Sequence, residues 1–360
     1  MTHESLINDD WGWTVERLGG AAKLMASARA SGAFVRARAV RSAVDLLRLT
    51  LAYGLSHMGL RATAAWAGAM GVADLSDVAL LGRFRNTGAW LSSLIAGLLA
   101  SGRPQAAEGR LIRILDATTV CKPGRAAKSS NSLWRIHSAF ELPAERFGFL
   151  ALTDEHGGER FDRVPVVAGE IRMGDRGYLQ ADQLGEVMAQ GADVLVRAGW
   201  RHARWRDENA MPLDLLALLA ADESGAIDRP VWLGRKSGAP LAMRLVAWRK
   251  PPAAAHEARR KARQEAQKEG RQVSAGTLAA ADWVILVTSL PVEGFASEDI
   301  LKLYRMRWRI ELAFKRLKSL LGLRSPPARD PRLATPWLLS HLLMVLLTEP
   351  LVDEFGVSPS

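Results

Sequence analysis

The sequence predicts an α/β protein whose first hundred residues are helical. Residues 1–105 carry apolar residues at helical spacing, as in VRSAVDLLRLTLAYGL. After Arg110 the pattern changes to short runs rich in Ile, Leu, Val and Thr, which are typical of buried strands. Helical patterns return in the last sixty residues. A helical amino-terminal region therefore precedes a region that mixes strands with helices.

The helices of residues 1–105 have recognisable ends. Asp74 or Ser76 is placed to cap the helix that contains VALLGRFR. Another helix runs through WLSSLIAGLLA and ends at Gly102, and we expect Trp90 and Leu94 on its buried side. A helix-turn-helix in this region is the alternative, with the same two residues facing a partner.

Three strands are expected next, in RLIRILDATTV, SLWRIHSAFEL and FGFLALTD. Asp116 interrupts the apolar character of the first strand, and burying an acid there is costly unless it is paired or bound to a metal. The segment EIRMGDRGYLQ predicts a strand that ends at Asp175, followed by a helix over residues 181–189 with Gly191 as its stop. A further strand is expected at residues 194–196.

Asp175 and Glu311 are separated by 136 residues, far more than one strand and one helix require. Residues 228–249 predict two strands, and residues 253–270 predict a charged helix. WVILVTSL, at residues 283–290, returns as a strand before a long helix that contains Glu311. Residues 337–347 predict a packed helix near the carboxy terminus.

Composition favours a polyanionic partner. The chain has 48 Lys and Arg against 38 Asp and Glu, giving a net charge of +10. Between Lys302 and Lys318 there are seven cations and one acid, so the excess is local. Cys121 is the only cysteine, the first residues lack the pattern of a signal peptide, and the longest apolar stretch is too short to cross a bilayer. We therefore expect a cytoplasmic protein with no membrane span.

The predicted helix around Glu311 places its polar residues in one row. At about 100° per residue, one narrow face carries Tyr304, Arg307, Glu311, Lys315 and Lys318. Ile310 and Phe314 belong to a neighbouring apolar stripe that is wide enough to be buried. Two interpretations are open. Glu311 is either a surface carboxylate in i,i+4 pairs with its neighbouring cations, or the acid of a phosphate-handling site.

The spacing Tyr-x2-Arg-x3-Glu-x6-Lys, met by Tyr304, Arg307, Glu311 and Lys318, resembles the Y-R-E-K signature of bacterial transposases of the insertion-sequence-four family. The D-R-G-Y at residues 175–178 resembles the second acidic motif of that family, although the same letters also suit an ordinary turn. The resemblance implies a DDE transposase with a ribonuclease-H-like catalytic domain and a long, mainly β insertion.

The same resemblance implies the chemistry of the site. Asp116, Asp175 and Glu311 would be catalytic residues that ligate Mg²⁺ or Mn²⁺, with two ions in the site. Tyr304, Arg307, Lys315, Lys318 and Arg176 would contact DNA phosphates, although Arg176 also suits a pair with a local acid. Trp283 would stack on a flipped base; a core position is its alternative.

The resemblance also implies how the chain is organised and what it binds. The expected units are residues 1–105 for DNA ends, 106–198 and 291–325 for catalysis, 199–290 as the insertion, and 326–360 as a carboxy-terminal helix. The partners would be double-stranded DNA with terminal inverted repeats and a second copy of the chain, in the nucleoid of a bacterial cytoplasm. Two rival functions are another ribonuclease-H-like DNA nuclease and a non-catalytic DNA-binding regulator descended from a transposase.

Overall fold

The structure is a computed structural model that describes residues 11–56, 58–101, 109–121, 133–142, 144–154, 156–320, 326–328 and 330–354. The side chains of residues 101, 133, 316–320 and 349–354 lie outside the description. The helices are α1 (Gly20–Ala30), α2 (Ala43–Leu55), α3 (Leu60–Ala69), α4 (Asp77–Phe84), α5 (Gly88–Ser101), α6 (Ala181–Ala189), α7 (Leu215–Ala221), α8 (Pro252–Lys268), α9 (Ala275–Ala281), α10 (Ser297–Arg305), α11 (Trp308–Leu320) and α12 (Pro331–Glu354). The strands are β1 (Ile112–Cys121), β2 (Leu133–Leu142), β3 (Arg146–Thr153), β4 (Ile171–Gly174), β5 (Asp193–Arg197), β6 (Trp205–Arg206), β7 (Ala226–Leu233), β8 (Leu241–Arg249) and β9 (Trp283–Thr288).

The amino-terminal helices begin where the sequence provides caps. The Ser42 hydroxyl accepts from the Asp45 amide, and the Asp45 carboxylate accepts from the Ser42 amide, which forms a capping box at α2. Ser76 caps α4. Trp90 is fully buried in α5 and donates its indole N–H to the Ser27 hydroxyl at 2.9 Å. The expected core position of Trp90 is thus confirmed.

The nine strands of the described residues form one sheet in the order β3-β2-β1-β4-β5-β9-β8-β7-β6. The first five members of that order have the ribonuclease-H-like arrangement. β1, β2 and β3 pair antiparallel, and β4 and β5 then join β1 in parallel. Parallel pairing requires crossover connections, and α6 supplies the one between β4 and β5. The predicted fold class is confirmed.

Residues between β5 and α10 extend this sheet rather than forming a separate one. β9 pairs antiparallel with β5 on one side and with β8 on the other, and β7 and β6 follow. α7, α8 and α9 lie between these strands in the chain. The mixed character that the sequence indicated for this region is observed, including the charged helix α8.

Two core clusters lie on opposite faces of the sheet. One joins the amino-terminal helices, α11 and α12 to residues such as Ile114 and Met173. The other packs α6 and α7 against residues such as Leu115 and Val196. Within α12, Leu338, Leu342 and Leu343 are almost fully buried, as expected for the carboxy-terminal helix. No helix in the described ranges has the length and apolarity needed to span a membrane.

The prediction of a single long helix around Glu311 was wrong. The chain forms two helices, α10 and α11, with a break at Met306 and Arg307. At the break the Met306 amide bonds to the Leu303 carbonyl and the Arg307 amide to the Tyr304 carbonyl, so the turn is tightened to three-residue steps. Tyr304 therefore belongs to a different helix from Glu311, and the five polar residues do not form one continuous row.

A buried ion network lies at the start of β1 and β4. Arg172 and Glu170 are both fully buried and paired with each other. Arg172 also donates to the Phe161, Val164 and Pro165 carbonyls, at 2.7, 2.9 and 2.5 Å. Arg113 joins Glu170 to Glu141, with N–O distances of 3.1 and 2.7 Å. The network lies at the start of both strands, and the acids described next, Asp116 and Asp175, lie farther along the chain from it.

Candidate active site

Two of the expected acids lie at matching positions on neighbouring parallel strands. Ile114 of β1 is the register partner of Met173 of β4. Asp116 follows Ile114 by two residues, and Asp175 follows Met173 by two residues. Since side chains alternate along a strand, both carboxylates lie on the same face as these partners and at the same level of the sheet. The topology thus brings together two acids that are 59 residues apart in the chain.

The carboxylate of Asp116 is largely buried, which disfavours its charged form. Its carboxylate accepts from the Ala117 amide at 2.8 Å, and its side chain is only 17% exposed. Burial, with the negative charges of Asp175 and Glu311, raises the pKa of Asp116 to about 6, against the opposing effects of the Ala117 amide and Arg307. Burial is therefore the main reason that the charged form of Asp116 is disfavoured.

The D-R-G-Y segment is a tight turn as well as a site element. The Asp175 carboxylate accepts from the Gly177 amide at 2.8 Å and caps a short 3-10 turn over Arg176–Tyr178. A Cβ on Gly174 would lie 2.8 Å from the Tyr178 ring, so glycine is needed for this close approach. The turn interpretation is therefore confirmed, and the charge of Asp175 also acts on Asp116.

Glu311 reaches the site from α11, which packs on the sheet through Ile310 and Phe314. Its carboxylate is 57% exposed and accepts from the Arg307 guanidinium at 2.5 Å. The same guanidinium lies 3.4 Å from the Asp116 carboxylate. Arg307 therefore connects the helix acid to the strand acid.

Other expected contact residues lie around this centre in different ways. The Tyr304 hydroxyl is buried and has no hydrogen-bond partner among the described residues. Arg176 is exposed beside Asp175. Lys315 is exposed on α11, and the side chain of Lys318 lies outside the described residues. Among the expected contact residues whose side chains the structure describes, Tyr304 is the one with a buried polar atom that lacks a hydrogen-bond partner.

Trp283 is 6% exposed, and the Arg249 guanidinium lies 4.8 Å from the centre of its ring. It packs in the core cluster on the α6 face of the sheet. This position agrees with the core alternative, because stacking on a base would require the ring to leave that cluster.

Two residues at the site were missed by the sequence reasoning. Glu159 Oε2 lies 2.3 Å from the position that a Cβ on Gly177 would take, and Asp175 Oδ1 lies 3.2 Å from the same point, so the two carboxylates are close neighbours. Burial and the charges of Asp175 and Asp116 raise the pKa of Glu159, against Arg135. The only sequence signal was an acid in the turn DEHGGER, which resembles any solvated turn.

Arg197 is the second missed residue. It follows Val196, the register partner of Gly174, and thus lies level with Asp175. Burial, with the positive charges of Arg176 and Arg307, lowers its pKa, whereas Tyr304 and Asp175 act in the opposite direction. Its charge at the end of the buried strand DVLVR was the available sequence signal.

Acidic oxygen donors suit a hard divalent cation. The described acids are not arranged around a single point as the ligands of one divalent cation would be. Within the described ranges, no three His, Cys, Asp or Glu side chains gather around a common point. Arg307 instead contacts both Asp116 and Glu311.

A family model described as "Transposase DDE domain" matches residues 144–347. The putative transposase InsL for insertion sequence element IS186A of Escherichia coli (strain K12) is 38% identical over 354 residues, which cover 96% of this chain and 95% of the relative. The transposase for insertion sequence element IS421 of Escherichia coli is 38% identical over 355 residues, with the same coverage.

The chain belongs to the DDE transposase family. The insertion-sequence-four resemblance fits these matches. Members of the family catalyse DNA cleavage and strand transfer and generally use divalent metal ions, so this DDE transposase is a DNA-acting enzyme. Asp175 and Glu311 lie within the matched segment, and Asp116 precedes it.

Proposed function

We propose that this transposase cuts DNA at the inverted-repeat ends of an insertion sequence and joins those ends to a new site. Asp116, Asp175 and Glu311 would be the ligands of two Mg²⁺ or Mn²⁺ ions. When bound, such a pair supplies activation of the attacking oxygen and stabilisation of the leaving oxygen. The observation that supports this assignment best is the matched position of Asp116 and Asp175 on parallel strands, with Glu311 linked to Asp116 through Arg307.

Cations beside the acids would hold the DNA backbone. Tyr304, Arg307, Arg176, Lys315 and Lys318 are proposed to position the scissile phosphate, because hydroxyl, guanidinium and ammonium groups are its natural donors. The unsatisfied Tyr304 hydroxyl supports this role. Trp283 would stack on a base only after leaving the core.

The remaining assignments concern the whole assembly. Residues 1–105, with a net charge of +4, are proposed to recognise the ends, since the proposed ligands lie elsewhere in the chain. Two ends must be joined in one reaction, which supports a homodimer when the DNA is synapsed. With such a DNA substrate, the enzyme is proposed to act in the bacterial cytoplasm, at the nucleoid.

The test is cleavage of a duplex that carries the inverted repeat, followed on a denaturing gel with Mg²⁺ or Mn²⁺. Asp116→Asn, Asp175→Asn and Glu311→Gln should each lower the rate by more than about a hundredfold, since even an outer partner of a metal ligand is worth about 10 to 100-fold. The exposed Glu298→Gln on α10 is the matched control and should cleave normally. Any of the three variants that cleaves at the wild-type rate removes its residue from the site.

Binding assays separate the rival functions. The three variants should still bind the inverted-repeat duplex, and Arg307→Ala or Lys318→Ala should reduce the salt dependence of binding by about one phosphate contact each. Equal cleavage of inverted-repeat and scrambled duplexes would favour a general nuclease. End binding with no cleavage by the wild-type protein would favour a regulator.

A further inference from the structure

The Arg307 guanidinium contacts two acids that the proposed function assigns to the divalent cations. Its distances are 3.4 Å to the Asp116 carboxylate and 2.5 Å to the Glu311 carboxylate. The Arg307 and Asp116 side chains are only 18% and 17% exposed, so water and salt screen their attraction less than at an open surface. Arg307 thus pairs with the same carboxylate oxygens that a divalent cation would use.

Arg307 lies beside groups that suit a phosphate. It lies in the turn that separates α10 from α11 and interacts electrostatically with Tyr304, whose buried hydroxyl lacks a hydrogen-bond partner among the described residues. Tyr304 also lies within the electrostatic influence of Arg197 and Arg176. A phosphate bound by Tyr304 and these cations would attract the Arg307 guanidinium as well, because a phosphate accepts the same forked N–H donors as a carboxylate.

Competition follows from these contacts. The N–H groups that bond to Asp116 and Glu311 cannot bond to a phosphate at the same time. A divalent cation on the same carboxylates would also lie next to the positive guanidinium, and like charges at this range repel. The guanidinium and the cation therefore compete for the two carboxylates, while a phosphate competes with the carboxylates for the guanidinium.

We propose that Arg307 is a positioning residue that couples DNA-end binding to divalent-cation binding. Without DNA it pairs with both Asp116 and Glu311 and opposes the cation. A phosphate of the bound end draws the guanidinium away and leaves both carboxylates to the metal. The inference rests on the proposed function for its assignment of metal ligands, and it accounts for the observation that the acids do not gather around a common point.

Linkage gives the inference a quantitative form. If a DNA end raises the affinity for the cation by a given factor, the cation must raise the affinity for the DNA end by the same factor. Couplings between two ligands are typically about 5 to 150-fold, and we expect about tenfold here. The cation would then bind mainly when a substrate is in place.

The experiment measures Mn²⁺ binding to the full-length protein by electron paramagnetic resonance of the free ion. The titration is run with and without a saturating inverted-repeat duplex. The Mn²⁺ bound by the duplex alone is measured separately and subtracted. The wild type should bind Mn²⁺ about tenfold more tightly with the duplex. Arg307→Gln should bind Mn²⁺ about tenfold more tightly than the wild type without DNA, and the duplex should add little.

Arg305→Gln is the matched control, because it removes one exposed positive charge from the end of α10. It should keep the wild-type coupling. A wild type whose Mn²⁺ affinity is unchanged by the duplex overturns the inference, and so does an Arg307→Gln variant that retains the full coupling. The reciprocal measurement, the effect of Mn²⁺ on duplex affinity of the wild type, needs no variant and must give the same factor.

The Asp116→Asn variant distinguishes an error in the proposed metal ligands from an error in the proposed role of Arg307. If it abolishes cleavage and weakens Mn²⁺ binding while the wild type shows no coupling, the metal ligands are correctly assigned and only the role of Arg307 is wrong. If it cleaves and binds Mn²⁺ like the wild type, the assignment of Asp116 fails and the coupling through it fails too.

Discussion

Replacing Asp116 by Asn should stabilise the folded protein in the absence of metal. The Asp116 pKa is raised from its ordinary value of 3.8 to about 6, chiefly by burial. A carboxyl whose pKa is raised on folding adds stability that is fully present below about 3.8 and is lost as the pH rises through about 6. At neutral pH the wild type therefore carries a buried charge that is under-compensated, and Asn removes it.

The size of the effect follows from that pKa. A difference between 3.8 and about 6 corresponds to about 3 kcal/mol, and this value already includes the favourable contacts with Ala117 and Arg307. Asn keeps an oxygen that accepts from the Ala117 amide. Because Asn pairs less well than Asp with Arg307, we expect a net gain of about 2 kcal/mol above pH 7.

The assay is urea unfolding in EDTA, followed by tryptophan fluorescence at several pH values between 4 and 8. The difference in free energy of unfolding between variant and wild type should be largest above pH 7 and should shrink as the pH falls through about 6. The exposed Glu223→Gln exchange on the α7–β7 connection controls for a general loss of negative charge. A variant that is equally or less stable than the wild type at pH 8 would refute the reasoning.

Two further predictions concern residues around the site and beneath it. Glu159→Gln should weaken Mn²⁺ binding severalfold, because it removes a negative charge beside Asp175; an affinity equal to that of the exposed control Glu208→Gln would show that Glu159 plays no part. Arg172→Met should lower the free energy of unfolding by about 3 to 5 kcal/mol, because it removes one of the two cations paired with the buried Glu170 and the donor to three carbonyls. A loss below about 1 kcal/mol in urea unfolding would contradict the importance of that network.

Local sequence patterns predicted much of the fold. The helix expected over residues 181–189 is α6 with the same bounds, and Gly191 has the positive φ of 83° that its stop position requires. The strands around Asp116 and Asp175 were also predicted, because a buried strand and a glycine turn are visible within ten residues. These elements depend on near neighbours in the chain.

The break between α10 and α11 depends on long-range packing rather than on a local sequence pattern. The apolar spacing continues through Met306 and Arg307, so no local pattern indicated the break between α10 and α11. Ile300 and Ile310, one on each helix, are both fully buried, and the tightened turn between them is compatible with this packing. The local pattern of a single sequence gives no sign of such a constraint.

The candidate site, like the fold, has parts that local sequence patterns indicate and parts that depend on long-range pairing. Motifs indicated Asp175 and Glu311, and an acid within an apolar strand pattern indicated Asp116, whereas the level register of Asp116 with Asp175 depends on which strands pair. Glu159 was missed for the same reason, since only the folded chain shows that its turn lies against Gly177. The position of Trp283 in the core matches the alternative that burial statistics favour.

The double pairing of β9 has a consequence for how the enzyme can change in evolution or engineering. Since β9 supplies the neighbour of both β5 and β8, the insertion is hydrogen-bonded edge to edge with the catalytic strands. Excising residues 199–290 would leave β5 with an open edge, which invites pairing with other chains and aggregation. A shortened enzyme would have to keep β9 as its outermost strand, so trimming can proceed inward only from β6, β7 and β8.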